Sequence, residues 1–497
     1  MPYSAPTRLL DVIEPAEAEI APAADNRTPN RSNTLQNKLG ADDRSVHDWY
    51  RFVLSFPPHV VQEYLADFGA EPGNRVLDPF CGTGTTLVEC KKNGIESVGF
   101  ESSPAARFAT AVKVDWAPQP DAIARLAHAV KLCAEAEFAT HDPTVMPPEM
   151  LRGLPADAAR LLLTDSVSPV PLHRLLVLRD CIERHTDPAT TGHAMLAFVK
   201  TAVATASNLK FGPEVGVSGR KTDALVLHAW LDNMRVIARD LASHAGGSGV
   251  QSQVLDVDAR TCANALPAAS IDAVFTSPPY PNEKDYTRTT RLEAVLLGFL
   301  HDRTDLRAVK RALLRSNTRG VYKGDDDDRW IANFPQITEI AETIERRRIE
   351  LNKTSGFERL YGRVTKLYFG GMARHFAELR HLLRPGARLG YMVGDQASYL
   401  RIPIATGELL GQIAQTLGYE LVRIDLFRTR LSTATKLQMR EEVLVLRWPG
   451  WRDGSEDAGV FAPCNGLPRR TLAGGGPKRN LNSYPCAPIR SKRIAAL

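Results

Sequence analysis

The chain has 497 residues, 43% of them hydrophobic, and a formal net charge of +5. That length and content fit one large catalytic domain with insertions, and the mild charge permits a polyanionic partner without demanding one. Seven cysteines stand apart with no CxxC pair, which argues against a zinc site and a disulfide framework and for a reducing cytoplasm; no signal pattern or membrane-length apolar run is present, so no membrane partner is expected.

In chain order, residues 1–40 lack periodicity and read as a disordered leader. The spacing of Val60, Val61, Tyr64, Leu65 and Phe68 after Phe56-Pro57-Pro58 predicts a helix with proline at its start. Arg75-Val76-Leu77-Asp78 reads as a short buried strand, running into Pro79-Phe80-Cys81-Gly82-Thr83-Gly84-Thr85-Thr86 and a helix to Lys92. Ser97 to Glu101 reads as the next strand, completing a βαβ unit.

Residues 103–250 read as a largely helical insertion, broken by a turn-rich stretch from Phe211 to Gly219. Strands resume at Gln253–Asp258 and Ile271–Thr276, the latter leading into Ser277-Pro278-Pro279-Tyr280. A polar, partly helical second insertion covers 301–360. Then come a helix from Val364, a strand at Arg388–Val393, a helix at Ile404–Leu417, and strands at Glu420–Phe427 and Glu442–Arg447. Seven strands alternating with helices imply an α/β fold with a mostly parallel sheet. Residues 41–102, 251–300 and 361–451 would form the catalytic domain. The tail, 452–497, is basic and reads as disordered, either merely solvated or touching a polyanion.

Two motifs carry chemistry. In Asp78-Pro-Phe-Cys-Gly-Thr-Gly-Thr-Thr86 a glycine-rich turn between strand and helix lets a cofactor approach the backbone. No lysine follows the second glycine as in a phosphate loop, and Leu87 stands where the third glycine of GxGxxG would be, so a diphosphate ligand is disfavoured. A compact cofactor with an ammonium group suits Asp78, and Glu101 at the next strand end suits ribose hydroxyls. In Thr276-Ser277-Pro278-Pro279-Tyr280 two prolines remove backbone donors and stiffen the turn. That leaves carbonyl acceptors of fixed direction, a serine acceptor and a flat ring, a set matched to an exocyclic amine on an aromatic base. The alternative is a proline-rich turn needed only for folding.

Together these motifs resemble the amino-directed DNA methyltransferases, with Ser-Pro-Pro-Tyr the form typical of the cytosine-N4 branch; adenine-N6 enzymes more often carry Asp or Asn where Ser277 stands. The resemblance covers about residues 47–101, 252–300 and 365–447. It implies a Rossmann-like fold of the S-adenosylmethionine-dependent methyltransferases and S-adenosyl-L-methionine as cofactor. It also implies double-stranded DNA as substrate and leaves a separate restriction endonuclease open as partner; with no CxxC pair, no metal is expected. Asp78, Pro79, Phe80, Gly82, Gly84 and Thr85 would line the cofactor pocket, and Glu101 would hold the ribose. Asp258 would lie near the adenine ring, and Phe56 and Pro57 would pack on the methionine end. Ser277 and the Pro278 carbonyl, in the turn with Pro279, would accept hydrogen bonds from the target amine, and Tyr280 would stack on the base.

In one respect the chain departs from the family. The long insertion follows the second strand, whereas target recognition usually lies between the third and fourth or after the last. DNA contact is expected either along Lys210 and Phe211 to Lys221, or along Arg311, Arg315, Arg319 and Lys323; an ordinary solvated face is the alternative for each. Competing readings are an adenine-N6 or RNA amino-methyltransferase, and a non-catalytic nucleic-acid-binding module that keeps the fold.

Overall fold

The computed structural model describes residues 39–40, 43–52, 55–185, 187–212, 214–282, 284–431 and 438–451. The leader, but for residues 39–40, and the whole of the tail, 452–497, therefore lie outside the described residues. Among those described, no helix is long and apolar enough to cross a membrane.

Seven strands form one sheet. They are β1 (Arg75–Asp78), β2 (Glu96–Phe100), β5 (Ser252–Leu255), β6 (Ile271–Thr276), β7 (Leu383–Gly394), β8 (Glu420–Leu431) and β9 (Gln438–Arg447), in the order β5-β2-β1-β6-β7-β9-β8. All neighbours pair in parallel except β9, which runs antiparallel to both β7 and β8. The expected mostly parallel seven-stranded α/β sheet is thus observed. Its central strands are legible as continuous apolar runs because both faces are covered.

The two faces can be read from β7, where Tyr391 and Met392 are neighbours and so point to opposite sides. Met392 packs with Val60, Val61 and Leu65 of α1 (Pro58–Asp67) and with Phe275 of β6. On the other side, Tyr391 receives Phe376 and His375 of a long helix, Tyr361–Leu379, with the Phe376 ring 5.0 Å away and His375 Nε2 2.7 Å from the phenol oxygen. Burying a side chain such as Phe275 or Phe376 contributes roughly 1.5–3 kcal/mol each.

Helix α2 (Thr85–Lys92) is buried almost all round. The sheet lies on one side of it, and on the other Leu87 and Val88 join a core contributed by the first insertion. That insertion comprises α3 (Pro104–Lys113), α4 (Pro120–Thr140), α5 (Pro169–Arg184), α6 (Thr191–Thr201) and α7 (Val226–Ser243). The segment before α1 is fastened to it as well: the Val46 amide and the Trp49 indole N–H both donate to Asp240 Oδ2, at 2.9 and 3.0 Å. The stretch read as a turn from Phe211 is in fact a small antiparallel hairpin, β3 (Leu209–Phe211) with β4 (Val215–Val217). Three-residue strands are too short to show an alternating pattern against their glycines and prolines.

Strand order reverses between β1 and β6, which leave the sheet in opposite directions of connectivity. In open parallel sheets the crevice beyond the carboxyl ends of such strands is where ligands bind. Asp78 ends β1 and Thr276 ends β6, so the sheet topology delivers both motifs to that crevice.

Candidate active site

A cavity of about 820 Å³ opens at this point, within the range of small-molecule sites. The glycine loop forms its floor. Gly82 has φ +51° and Gly84 φ +79°, a backbone region costly for any side chain. The two glycines differ in surroundings. A Cβ on Gly82 would meet nothing within 4 Å, so its face is open to a ligand, whereas a Cβ on Gly84 would stand 2.5 Å from Thr110 Cγ2. Gly82 lines the cavity with Pro79, Phe80 and Thr85; Gly84 does not, serving instead the close contact of α2 with α3.

Asp78 is fully buried and lies beneath the floor, not in the lining. Its Oδ1 accepts from Thr276 Oγ1 at 2.6 Å and from the Phe80 amide at 3.1 Å, while Oδ2 has no partner. Burial pushes the carboxyl up to about 6 against the opposing pull of these hydrogen bonds. Glu101 lines the cavity; its Oε2 accepts from the Gly82 amide at 2.9 Å and its Oε1 from the Ser103 amide at 2.7 Å. Burial raises it to about 7. Behind the loop, buried Lys113 donates to the Thr83 carbonyl at 2.7 Å, and burial lowers its ammonium to about 7.

Phe56 lines the cavity, with its ring 5.8 Å from that of Phe275, while Pro57 is buried behind it. Asp258 also lines the cavity but is occupied by Arg260: Oδ1 accepts from its amide and Nε at 3.0 Å, and Oδ2 from Nη2 at 2.7 Å. Arg260 in turn donates to Asp327 at 2.6 Å and to the Arg311 carbonyl at 3.1 Å, which fastens the second insertion to this edge.

Ser277, Pro278, Pro279 and Tyr280 all line the same cavity. The Tyr280 ring lies against β7, where a Cβ on Gly394 would be 3.3 Å from it. Its amide donates to the Tyr286 hydroxyl at 3.4 Å, and burial raises both phenols. The loop that follows is anchored through Asp285, which takes Lys310 Nζ at 2.7 Å and Thr287 Oγ1 at 2.6 Å.

Of the fourteen expected site residues, eleven line the cavity, and Asp78, Gly84 and Pro57 stand behind the lining. Sequence reasoning missed Ser55 and Thr83, whose hydroxyls lie 3.1 Å apart on the wall, and the contribution of β8 and β9 through Arg428, Arg430 and Glu441. No short motif marks the latter. The expected DNA-facing role of Arg315 is corrected. That side chain is buried, with Nε and Nη2 donating to Asp325 at 2.8 and 2.9 Å, so a carboxylate within the same insertion consumes it.

A stacking ring, fixed acceptors and a glycine floor with a buried acid beneath it can hold a small cofactor against a flat amine-bearing ring. Residues 25–110 match the DNA methylase family. The chain is similar to the Type II methyltransferase M.BsoBI of Geobacillus stearothermophilus, 24% identical over 79% of this chain and 82% of that protein. It is likewise similar to the Type II methyltransferase M.AvaI of a Nostoc species, 24% identical over 81% of this chain and 86% of that protein. Among solved structures, the rRNA methyltransferase aviRa from Streptomyces viridochromogenes aligns over 80% of this chain and 88% of its own, with 11% identity and a TM-score of 0.28.

Proposed function

We propose that the chain, which is similar to the DNA methylases and to Type II methyltransferases, uses S-adenosyl-L-methionine as methyl donor and methylates the N4 amino group of a cytosine turned out of duplex DNA. The observation that carries this reading is the Ser277–Tyr280 turn facing the same cavity as the glycine loop, with Thr276 and Asp78 joined beneath them by a 2.6 Å hydrogen bond.

The residues present fit the cofactor. Asp78 Oδ2 is a buried acceptor without a partner, suited to balancing an ammonium group near the loop. The open face of Gly82 admits a ligand against the backbone, and Glu101 offers a carboxylate for ribose hydroxyls. When bound, S-adenosyl-L-methionine supplies a methyl group activated by its sulfonium.

Cytosine N4 delocalises its lone pair into the ring and is a weak nucleophile. Ser277 Oγ and the Pro278 carbonyl, as acceptors for its two hydrogens, would favour a pyramidal nitrogen and aim the lone pair at the methyl group. Catalysis then rests on positioning and on acceptors directed at the developing positive charge. Tyr280 stacks on the base and offsets part of the cost of extrusion, on the order of a few kcal/mol. A serine hydroxyl is no base at neutral pH, so the proton passes to water. The match to the DNA methylase family and the Type II relatives support DNA as the acceptor.

The test is transfer of labelled methyl from S-adenosyl-L-methionine to plasmid DNA and to RNA, followed by nucleoside mass spectrometry. N4-methylcytosine in DNA is the expected product; N6-methyladenine, or label in RNA alone, would overturn this reading. Ser277→Ala is expected to lower turnover by about 10²-fold, as loss of one charge-directed hydrogen bond does, with cofactor affinity retained in calorimetry.

A further inference from the structure

Five cations from three parts of the chain gather at the cavity and its rim, and among the described residues they share two carboxylates. Glu214, at the β3–β4 hairpin, stands 3.6 Å from Arg288 and 3.9 Å from Arg319. Glu441 on β9 is 2.5 Å from Arg428 and 3.4 Å from Arg430. Lys284, four residues past Tyr280, lines the cavity and has no carboxylate within 4 Å of its Nζ among the described residues. Its ammonium is lowered first by burial and next by the neighbouring Arg430, with Glu441 and Glu214 pulling the other way.

Lys284 and Arg430 line the same cavity, and Glu441 beside them is already shared by Arg428 and Arg430, so the two cations form a place that an anion would complete. The position says which anion. A base stacked on Tyr280 carries its sugar and phosphate outward, toward the rim where Arg430 is 44% and Glu214 54% exposed. We propose that Lys284 and Arg430 form a phosphate subsite that grips the backbone of the target nucleotide. This rests on the nucleic-acid reading of the site given above. The site would convert a mobile extruded nucleotide into a fixed one by holding it at both ends, ring on Tyr280 and phosphate on the two cations. A Lys or Arg to phosphate contact is independent of sequence, so it sets register and leaves base choice to the turn. The cofactor's own carboxylate is the other anion that could reach the cavity, and the experiment separates the two.

The experiment uses the full chain. Binding of a labelled mixed-sequence duplex and KM for plasmid DNA are measured across a salt series, for the wild type and for Lys284→Ala, Lys284→Arg and Arg430→Ala. Cofactor affinity is read by calorimetry in each. Loss of one phosphate contact reduces the slope of log affinity on log salt by about 0.9. The expected result is a slope reduced by about one contact in Lys284→Ala and in Arg430→Ala, a higher KM for DNA, unchanged cofactor affinity, and a restored slope in Lys284→Arg. An unchanged slope in Lys284→Ala overturns the subsite, as does a loss that falls on cofactor affinity instead. A flat salt response in the wild type overturns the nucleic-acid reading itself, whereas a steep wild-type response unaltered by both alanine variants overturns the subsite alone.

Discussion

Asp78 and Glu101 are acids that burial holds near 6 and near 7, above their usual range. Without ligand the folded chain therefore keeps protons that the unfolded chain has released, and the stability tied to these two groups is present below their unfolded values and is lost as pH rises through about 6 to 7. A ligand bringing an ammonium group and ribose hydroxyls favours the ionised forms. The rise in melting temperature given by S-adenosyl-L-methionine should thus grow as pH increases across that window, and Asp78→Asn should flatten the dependence. A ligand-induced rise independent of pH would remove Asp78 and Glu101 from cofactor binding. Tyr280 carries a different expectation. Stacking of a base on an aromatic ring contributes about 1–3 kcal/mol, so Tyr280→Ala should weaken transfer by roughly 5- to 150-fold, with Tyr280→Phe retaining most of it; near-normal turnover of Tyr280→Ala would refute the stacking role.

Among the elements, the close approaches are made by glycines whose neighbours are backbone or short side chains. A Cβ on Gly370, in the helix Tyr361–Leu379, would stand 2.0 Å from the Asp327 carbonyl oxygen. Backbone cannot step aside as a flexible side chain can, so Gly370→Ala should destabilise by at least the ~1–3 kcal/mol of an overpacked core, seen as a lowered melting temperature. Gly82→Ala should cost cofactor affinity more than stability, and Gly84→Ala the reverse, because only the first faces the cavity. These differences mark where sequence stopped being informative. The strands of the sheet were legible because Val76-Leu77, Val98 and Ile271 to Phe275 are apolar runs ended by turn signals. The two motifs were legible because their spacing is local. Which way a loop residue points was not. Asp78, Gly84 and Pro57 belong to the right segments but lie behind the wall, and Arg315 looked available until Asp325 was placed beside it. Pairings such as Glu214 with Arg288, 74 positions apart in the chain, have no local signature at all.

The whole molecule gathers distant segments around one crevice. The first insertion reaches the rim through the β3–β4 hairpin, the second through the loop that Arg260 ties to Asp258, and the last two strands through their arginines. Neither insertion is a free-standing appendage: the first shares a core with α2, and the second is pinned to the Asp258 edge. The 2.6 Å hydrogen bond from Thr276 to Asp78 links the floor of one half of the site to the root of the turn in the other. Anything that shifts the charge or position of Asp78 is therefore felt where the target base would rest. Thermodynamic reciprocity then requires that if the methyl donor tightens the grip on DNA by some factor, DNA must tighten the donor by the same factor. Thr276→Val should shrink that mutual factor toward unity while each ligand, measured alone, still binds; the side chain would then be a messenger between two occupants that never need to touch it.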